Sequence, residues 1–472
     1  MRKKLYALCM CFSFLLGMGA CGDTQKAEQL SEAEREAILS DALTFTLPLM
    51  MMDATFIKAT NTVEATDVQA PVNQFIHAKN LATADFKDVV TPNVDTIYSQ
   101  VFIDLGQDAV ILEFPKTDRF CTVEIIDAFT NCVQIIDATQ FTRDTERFLF
   151  TRENYSGTVP EDMTHIRIPS DLVWVLVRTI CSGVEDLENV RAIQNRMDSY
   201  TLSQYINGTA AEKARGIFDA AHNFIPTNYV LSRSMQEYFE RVNTLLLTNP
   251  PTAADQDMME RLKKINVGPG LKFDSSIFGA DGEALWQELI ANLVNKTTAN
   301  SMQYIAKNGC WSFMGAPIAE FGTAYDYRAL ISLVGLGANP VSVAVYPKTT
   351  EDSAGGRLNG TNRYVLHFAA DALPDVEDYG FWSITIYDSS NNLLIDNPLD
   401  RYCINDRSDV VFNGDGSLDI LIQAEQPQDN VSNWLPTCEG EFHLVLRVYF
   451  PGEAVVNNSW KAPEIICVSE DS

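Results

Sequence analysis

The period of the apolar positions changes three times along the chain. Residues 31–52 repeat apolar side chains at helical spacing, with Ala37, Ile38, Ala42 and Leu43 recurring along it, and Ser31 followed by Glu34 forms a capping box at its start. Pro48 is expected to end or kink this helix, because it lacks an N–H and its ring crowds the preceding turn. From about 90 to 180 the pattern shortens. Segments near 97–104, 109–115, 121–127, 132–137 and 172–179 are β-rich and separated by turn residues. From about 185 to 330 it is helical again. "DGEALWQELIANLVNK" stacks Leu285, Leu289 and Leu293 in one row and Trp286, Ile290 and Val294 in the next, behind Asp281 as a cap, and "TNPPTAADQD" predicts a loop with a helix starting at Thr252. From about 340 strands return as "RYVLHFA", "FWSITIYD", "NLLID", "DVVFN", "LDILIQA" and "EFHLVLRVYF".

The two β regions resemble each other. "VILEFP" (110–115) matches "YVLHFA" (364–369), and "FCTVEIIDAFTN" (120–131) matches "FWSITIYDSSNN" (381–392), with Asp127 and Asp388 at equivalent places. An Asp at a strand end ordinarily caps the following turn. The expected architecture is therefore α+β and multidomain: two antiparallel, jelly-roll-like β-sandwich domains, duplicated, with a helical region between them. In numbers, a helix plus the first sandwich occupies 37–184, the helical region 185–338 and the second sandwich 339–472.

The first residues bear on location. Arg2, Lys3 and Lys4 precede an apolar run from Leu5 to Gly17, and "GMGAC" places small residues just before Cys21. That is the order of a secretory signal peptide, here 1–20, and the run is too short to span a membrane. A Cys directly after the small-residue site resembles the bacterial lipoprotein box, in which Cys21 is lipidated and residues 21–36 form a tether. The expectation is an exported, membrane-anchored envelope lipoprotein that meets the membrane through its lipid alone.

Charge narrows the partners. Cleavage before Cys21 would leave 32 basic against 63 acidic residues, a shift in net charge from −28 to −31. Such a chain repels nucleic acid and anionic head groups. Beyond Cys21 seven cysteines remain, none in a C-x-x-C pair, so zinc and thioredoxin-like chemistry are not indicated. No G-x-S-x-G, H-E-x-x-H, Walker A or G-x-G-x-x-G motif occurs, and the five histidines have no metal-ligand spacing. No metal or cofactor is expected.

Several motifs together carry a resemblance. "APVNQFIHAKNLATADFKDVVTPNVDTIYSQVFIDLG" is similar to the hallmark of the domain of unknown function numbered 1254, with its P-N-x-D-T-x-Y-S segment. "GTAYDYRALISLVGLGANPVSVAVYP" resembles the approach to the domain numbered 1214, and "RYVLHF", "FWSITIYD", "DGSLDILIQ", "NWLP" and "LRVYFP" resemble that domain itself. The resemblance implies two all-β domains with a helical portion in often-exported proteins, and no established activity. It singles out Asn93, Asp95, Thr96 and Tyr98 in the first motif, and Tyr325, Arg328, His367, Trp382, Asn433 and Trp434 in the later ones. The chain departs from the family pattern at Phe120-Cys121, where a Tyr-rich start is usual, and at Val177, where Gly often precedes the Arg-Thr pair.

Two readings of "VVTPNVDTIYSQ" (89–100) follow. Asn93 and Asp95 can each bond backbone N–H groups two residues on, with Thr96 doing so more weakly, which makes the segment a stitched turn. Alternatively Asn93 and Asp95 stand at the mouth of a cleft with Tyr98 as a wall. For the whole chain the expectation is a protein that binds a small organic or carbohydrate-like ligand, with Trp382, Trp434 and the tyrosines stacking on it. The alternatives are a metal-independent hydrolase or lyase using Asp95, Arg328 and His367, or a structural partner in an envelope assembly.

Overall fold

The computed structural model describes residues 30–87 and 90–468. The expected signal peptide and Cys21 lie outside the described residues. Ser31 caps as its spacing requires: its Oγ accepts the Glu34 N–H, and the Glu34 carboxylate accepts the Ser31 N–H at 2.8 Å. Helix α1 then runs Glu32–Ala59 and continues past Pro48. Pro48 does not end it, because tertiary packing outweighs the ~3 kcal/mol local cost. The helix is long and apolar enough to cross a membrane, yet protein encloses it. Phe45, Leu47, Leu49 and Met50 share one core with Tyr238, Phe239, Trp286, Leu293 and Ala329.

The first β region contains β1 (Phe75–His77), β2 (Thr96–Asp104), β3 (Val110–Pro115), β4 (Cys121–Ile126), β5 (Cys132–Asp137), β6 (Thr145–Arg152), β7 (Met163–Ile168), β8 (Leu172–Ile180) and β9 (Asp198–Thr201). They form two sheets, ordered β1-β2-β8-β4-β5 and β7-β6-β3-β9. Alternating side chains from both sheets, including Val101, Val123 and Val175 against Leu112, Phe148 and Ile166, build one core. The helical stretch expected from 185 therefore includes β9, which pairs with β3 and carries the first β region on to Thr201.

Helices α2 (Leu187–Gln194), α3 (Leu202–Asn207), α4 (Pro226–Leu231), α5 (Met235–Leu245), α6 (Gln256–Lys263), α7 (Gly282–Ser301) and α8 (Tyr325–Val334) follow. Trp286 and Leu293 of α7 are buried as their rows predict, whereas Asp281 makes no side-chain cap and Val294 is exposed. The second β region holds β10 (Ile305–Asn308), β11 (Trp311–Met314), β12 (Ala344–Val345), β13 (Lys348–Thr349), β14 (Arg363–Phe368), β15 (Val376–Asp388), β16 (Cys403–Asn405), β17 (Leu418–Gln423), β18 (Trp434–Pro436), β19 (Phe442–Pro451) and β20 (Glu464–Val468), with α9 (Glu453–Val456) between the last two. Its sheets are ordered β10-β11-β13-β19-β15-β16, with β12 also on β19, and β18-β17-β14-β20. "DVVFN" and "NLLID" are not strands: Val411 and Phe412 are exposed, and Leu394 makes only an isolated bridge to Tyr387. The whole is α+β, with antiparallel pairing except at β6–β7 and β17–β18.

Candidate functional site

The segment that opens β2 is built into the seam between the two β regions. Asn93 Oδ1 accepts the N–H groups of Asp95 at 2.7 Å and Thr96 at 3.2 Å, the Asx-turn its sequence predicts. Its Nδ2 donates across the seam to Tyr449 Oη at 2.6 Å, and to Tyr98 Oη at 3.3 Å. Asp95 does not stitch its own turn. It is fully buried, accepts from Ser383 Oγ at 2.5 Å and lies 3.4 Å from Arg407 Nη2. The Thr96 hydroxyl is buried and has no partner among the described residues. Asn93 thus stitches the turn, Asp95 is spent on the second β region, and Tyr98 is half-buried beside them.

Two arginines clamp the seam from opposite sides. Arg178 on β8 sits opposite Thr122 on β4, as Arg447 on β19 sits opposite Ser383 on β15. Arg178 donates to Glu124 at 2.6 Å, to Asn339 at 2.9 Å and to the Gly337 carbonyl, the last two in the arm that leads into the second β region. Arg447 donates to Thr385 at 2.8 Å, to Tyr387 at 2.7 Å and to the Thr91 carbonyl at 3.3 Å, in the arm that leads into β2. Asn339 donates to Tyr346 at 2.8 Å much as Asn93 does to Tyr98. Burial opposes the charge on both arginines; Glu124 in one case and Tyr387 with Tyr449 in the other hold each above the usual range. The Glu124 carboxyl is pushed up to about 7 by burial, against the pull of Arg178. Aromatic rings fill the rest of the seam, with Phe381 stacked on Tyr449 at 4.3 Å and edge-on to Phe120 at 5.2 Å.

A cavity of about 450 Å³ opens at one end of this seam, where Arg119, Phe120, Asp186 and Asn189 of the first β region and its flanking turn meet Tyr379 and Arg407 of the second. Arg119 Nη1 bonds Asp186 at 2.6 Å, and Asn189 Nδ2 bonds the other oxygen of that carboxylate at 2.8 Å. Arg407 pairs with Asp406 and lies 4.7 Å over the Phe381 ring. Asp406 is raised to about 6 by burial, with Asp95 adding to it.

The remaining sequence candidates lie elsewhere. His367 shares its cross-strand pair with Asp419, Nδ1 to Oδ1 at 2.6 Å, while Leu366 and Phe368 are buried on the opposite face. Trp382 is in the core of the second β region; Trp434 is buried and donates to the Gln423 carbonyl at 2.9 Å. Neither indole is free to stack on a ligand, because each is consumed by packing. Asn433 Nδ2 donates to the Val411 and Asp419 carbonyls, both at 2.8 Å. Arg328 lines a separate cavity at the helical layer, and Tyr325 packs on the helical core with its ring 5.5 Å from the Arg328 guanidinium. No contact joins Asp95, Arg328 and His367 among the described residues, so the constellation proposed for catalysis is not assembled. Nor is any group of three His, Cys, Asp or Glu there arranged to hold a metal ion.

Sequence reasoning missed Arg119, Asp186, Asn189, Tyr379 and Arg407, which no motif marks. Arg178 and Arg447 did carry a signal, a lone charge inside an otherwise apolar buried strand.

Residues 72–201 match the family described as protein of unknown function (DUF1254), and residues 343–453 match protein of unknown function (DUF1214). No curated protein matches the chain. The fold is similar to the crystal structure of the VPA0106 protein from Vibrio parahaemolyticus, at 22% identity and a TM-score of 0.69, covering 92% of this chain and 100% of that one. A looser likeness, TM-score 0.44 at 11% identity over 91% of this chain and 88% of the other, is to an uncharacterized protein from Burkholderia cenocepacia.

Proposed function

We propose that this chain, which joins a DUF1254 domain to a DUF1214 domain, is a membrane-anchored envelope lipoprotein that binds a small, hydroxyl-rich, carbohydrate-like ligand in the cavity at its seam. The observation that carries this reading is the composition of that cavity. Its two arginines are each already paired with a carboxylate, Arg119 with Asp186 and Arg407 with Asp406. The paired charges present donors and acceptors side by side, and Glu185 adds an unpaired carboxylate to the lining, which suits a neutral polyol better than an anion. The half-exposed Tyr379 ring supplies apolar surface.

The reading includes a duplicated β-sandwich as its scaffold. Support comes from strand order: β7-β6-β3-β9 and β18-β17-β14-β20 place successive strands in the same sequence, each with one parallel pair at its end. The equivalence of Arg178 with Arg447 comes from the sequence match instead: Thr122 and Ser383 hold the same place in "FCTVEIIDAFTN" and "FWSITIYDSSNN", and each pairs across its ladder with one of the two arginines. Two like units meeting face to face leave a rimmed cleft at the seam, and the basic run, apolar stretch and Cys21 at the start of the chain would hold that cleft in the envelope.

The test is thermal unfolding of the chain from residue 22 against neutral mono- and oligosaccharides, with Arg407→Ala and Tyr379→Ala variants. A ligand at 100 times its Kd stabilises by about 2.7 kcal/mol. Stabilisation by a neutral sugar that disappears in both folded variants supports the reading. No stabilisation by any sugar, or stabilisation that both variants keep, refutes it.

A further inference from the structure

Tyr379 holds a backbone conformation that an aromatic residue rarely adopts. Its φ is +63°, in the left-handed region. It lies where the β15–β19 ladder slips register between Val376 and Phe381, beside Gly380, at which an added Cβ would come within 2.7 Å of the Tyr449 carbonyl oxygen. A bulge of this kind re-aims the side chain it carries. Here the residue is 47% exposed and its ring lines the cavity at the end of the seam. Core packing does not account for a strained aromatic that faces water. Such strain gathers where a side chain is held ready for a ligand.

On the side of the first β region the cavity wall is a turn stitched by Asp186. That carboxylate accepts the Ser182 N–H at 2.9 Å, Arg119 Nη1 at 2.6 Å and Asn189 Nδ2 at 2.8 Å. The stitching fixes the turn Val184–Asp186, and Glu185 at its middle lines the cavity. Glu185 is exposed and makes no ion pair or side-chain hydrogen bond among the described residues. The other charges of the lining are balanced. Arg119 is paired with Asp186 and Arg407 with Asp406, and the buried Asp95 carboxylate lies 3.4 Å behind Arg407. Burial raises Asp406 only to about 6, so it stays ionised near neutral pH. The uncompensated charge of the cavity is therefore negative.

We propose that the ligand of this cavity carries a protonated primary amine beside its hydroxyl groups, as an amino sugar does, with Glu185 as the counter-charge and the Tyr379 ring as the face it lies on. The inference rests on the carbohydrate reading above and narrows its ligand class. The negative face of a tyrosine ring attracts an ammonium group, and the same face packs against the C–H surface of a sugar. Glu185 adds a direct Coulomb attraction that a neutral sugar cannot use. The Ser182 hydroxyl and Asn189 Oδ1 have no protein partner among the described residues and stand ready for ligand hydroxyls. The acidic excess of the chain, −28 in all, favours the approach of a cation over that of an anion.

The experiment is calorimetric titration of the chain from residue 22 with glucosamine, N-acetylglucosamine and glucose at low salt and near-neutral pH, for wild type, Glu185→Gln, Tyr379→Leu and Glu188→Gln. Glucosamine should bind about tenfold tighter than either neutral sugar, from a carboxylate contact and a ring contact worth about threefold each. Glu185→Gln and Tyr379→Leu should each lower that preference about threefold, and added salt should shrink it in wild type. Glu188→Gln makes the same charge change one turn further on, outside the cavity lining, and should keep the preference. Glucosamine that binds no tighter than glucose overturns the amine and leaves the carbohydrate reading standing, whereas failure of all three sugars to saturate overturns both. A preference that survives Glu185→Gln, or that Glu188→Gln lowers equally, overturns the placement of the amine. An unchanged preference in Tyr379→Leu overturns the ring contact. Glu185 and Glu188 are both exposed, so their variants fold whatever Tyr379→Leu does.

Discussion

Asn93→Ala removes the side chain that holds both the turn before β2 and the contact across the seam. Two of its four hydrogen bonds are short, 2.7 Å from the Asp95 N–H and 2.6 Å to Tyr449 Oη. The other two are longer, at 3.2 and 3.3 Å. Each short bond is worth about 1 kcal/mol net, and the fully buried Tyr449 hydroxyl, stripped of its donor, adds about 1 kcal/mol or more. The expected destabilisation is about 3 kcal/mol. A double-mutant cycle with Tyr449→Phe separates the seam contact from the turn. Urea unfolding of the four proteins should give a coupling of about 1 kcal/mol between positions 93 and 449, since they touch directly. Additivity within about 0.3 kcal/mol, or a loss below about 0.5 kcal/mol in Asn93→Ala, would mean that the segment is an ordinary surface turn and that the seam is held by something else.

Other outcomes follow from the same geometry. Glu124 has its folded pKa raised to about 7 from 4.5, so the unfolded chain releases this proton first and the contribution to stability falls as pH rises from about 4.5 to 7. His77 and His443, both lowered to about 4 by burial, slope the opposite way over about 4 to 6.5. The readout is therefore the difference between wild type and Glu124→Gln, which should decline across pH 4.5–7 and stay level above it; a flat difference refutes the buried titration. Gly337 sits at φ +78°, where an added Cβ would lie 2.9 Å from the Trp174 ring, and its carbonyl receives Arg178. Gly337→Ala should cost about 2 kcal/mol or more by urea unfolding, and a neutral result would show that the arm is not fixed there. Cys21→Ser should move the protein from the membrane fraction to the soluble fraction and abolish fatty-acid labelling; labelling that persists would remove Cys21 as the lipid site.

How much was legible depended on how local the cause was. The capping box at Ser31, the apolar strands β2 to β5 and β8, and the long strands β15, β17 and β19 were readable because period and turn chemistry agree along a single segment. Strands β6 and β7 were missed: their outward positions carry Thr, Arg, Glu and His, and without the partner strand they read as polar loop. "DVVFN" erred the other way, apolar in composition but with no ladder to join. Pro48 shows tertiary packing overriding a local rule. At the seam, the Asn93 turn was visible, while the partners of Asp95, Ser383 and Arg407, are 288 and 312 residues away and no spacing rule reaches them. Trp382 and Trp434 illustrate the ambiguity of aromatics: the same residue type serves a core or a binding surface, and only burial decides.

The central claim is that the P-N-x-D-T-x-Y-S segment locks two β regions into one cooperative body with its cleft at the seam. Native-state hydrogen exchange tests it most directly. The Asp95 and Thr96 amides, bonded to Asn93 Oδ1, should exchange with the same opening free energy as central amides of β8 and β19, and all of them should fall together in Asn93→Ala. Exchange of Asp95 and Thr96 at loop rates, with β19 opening independently of β8, would contradict the account.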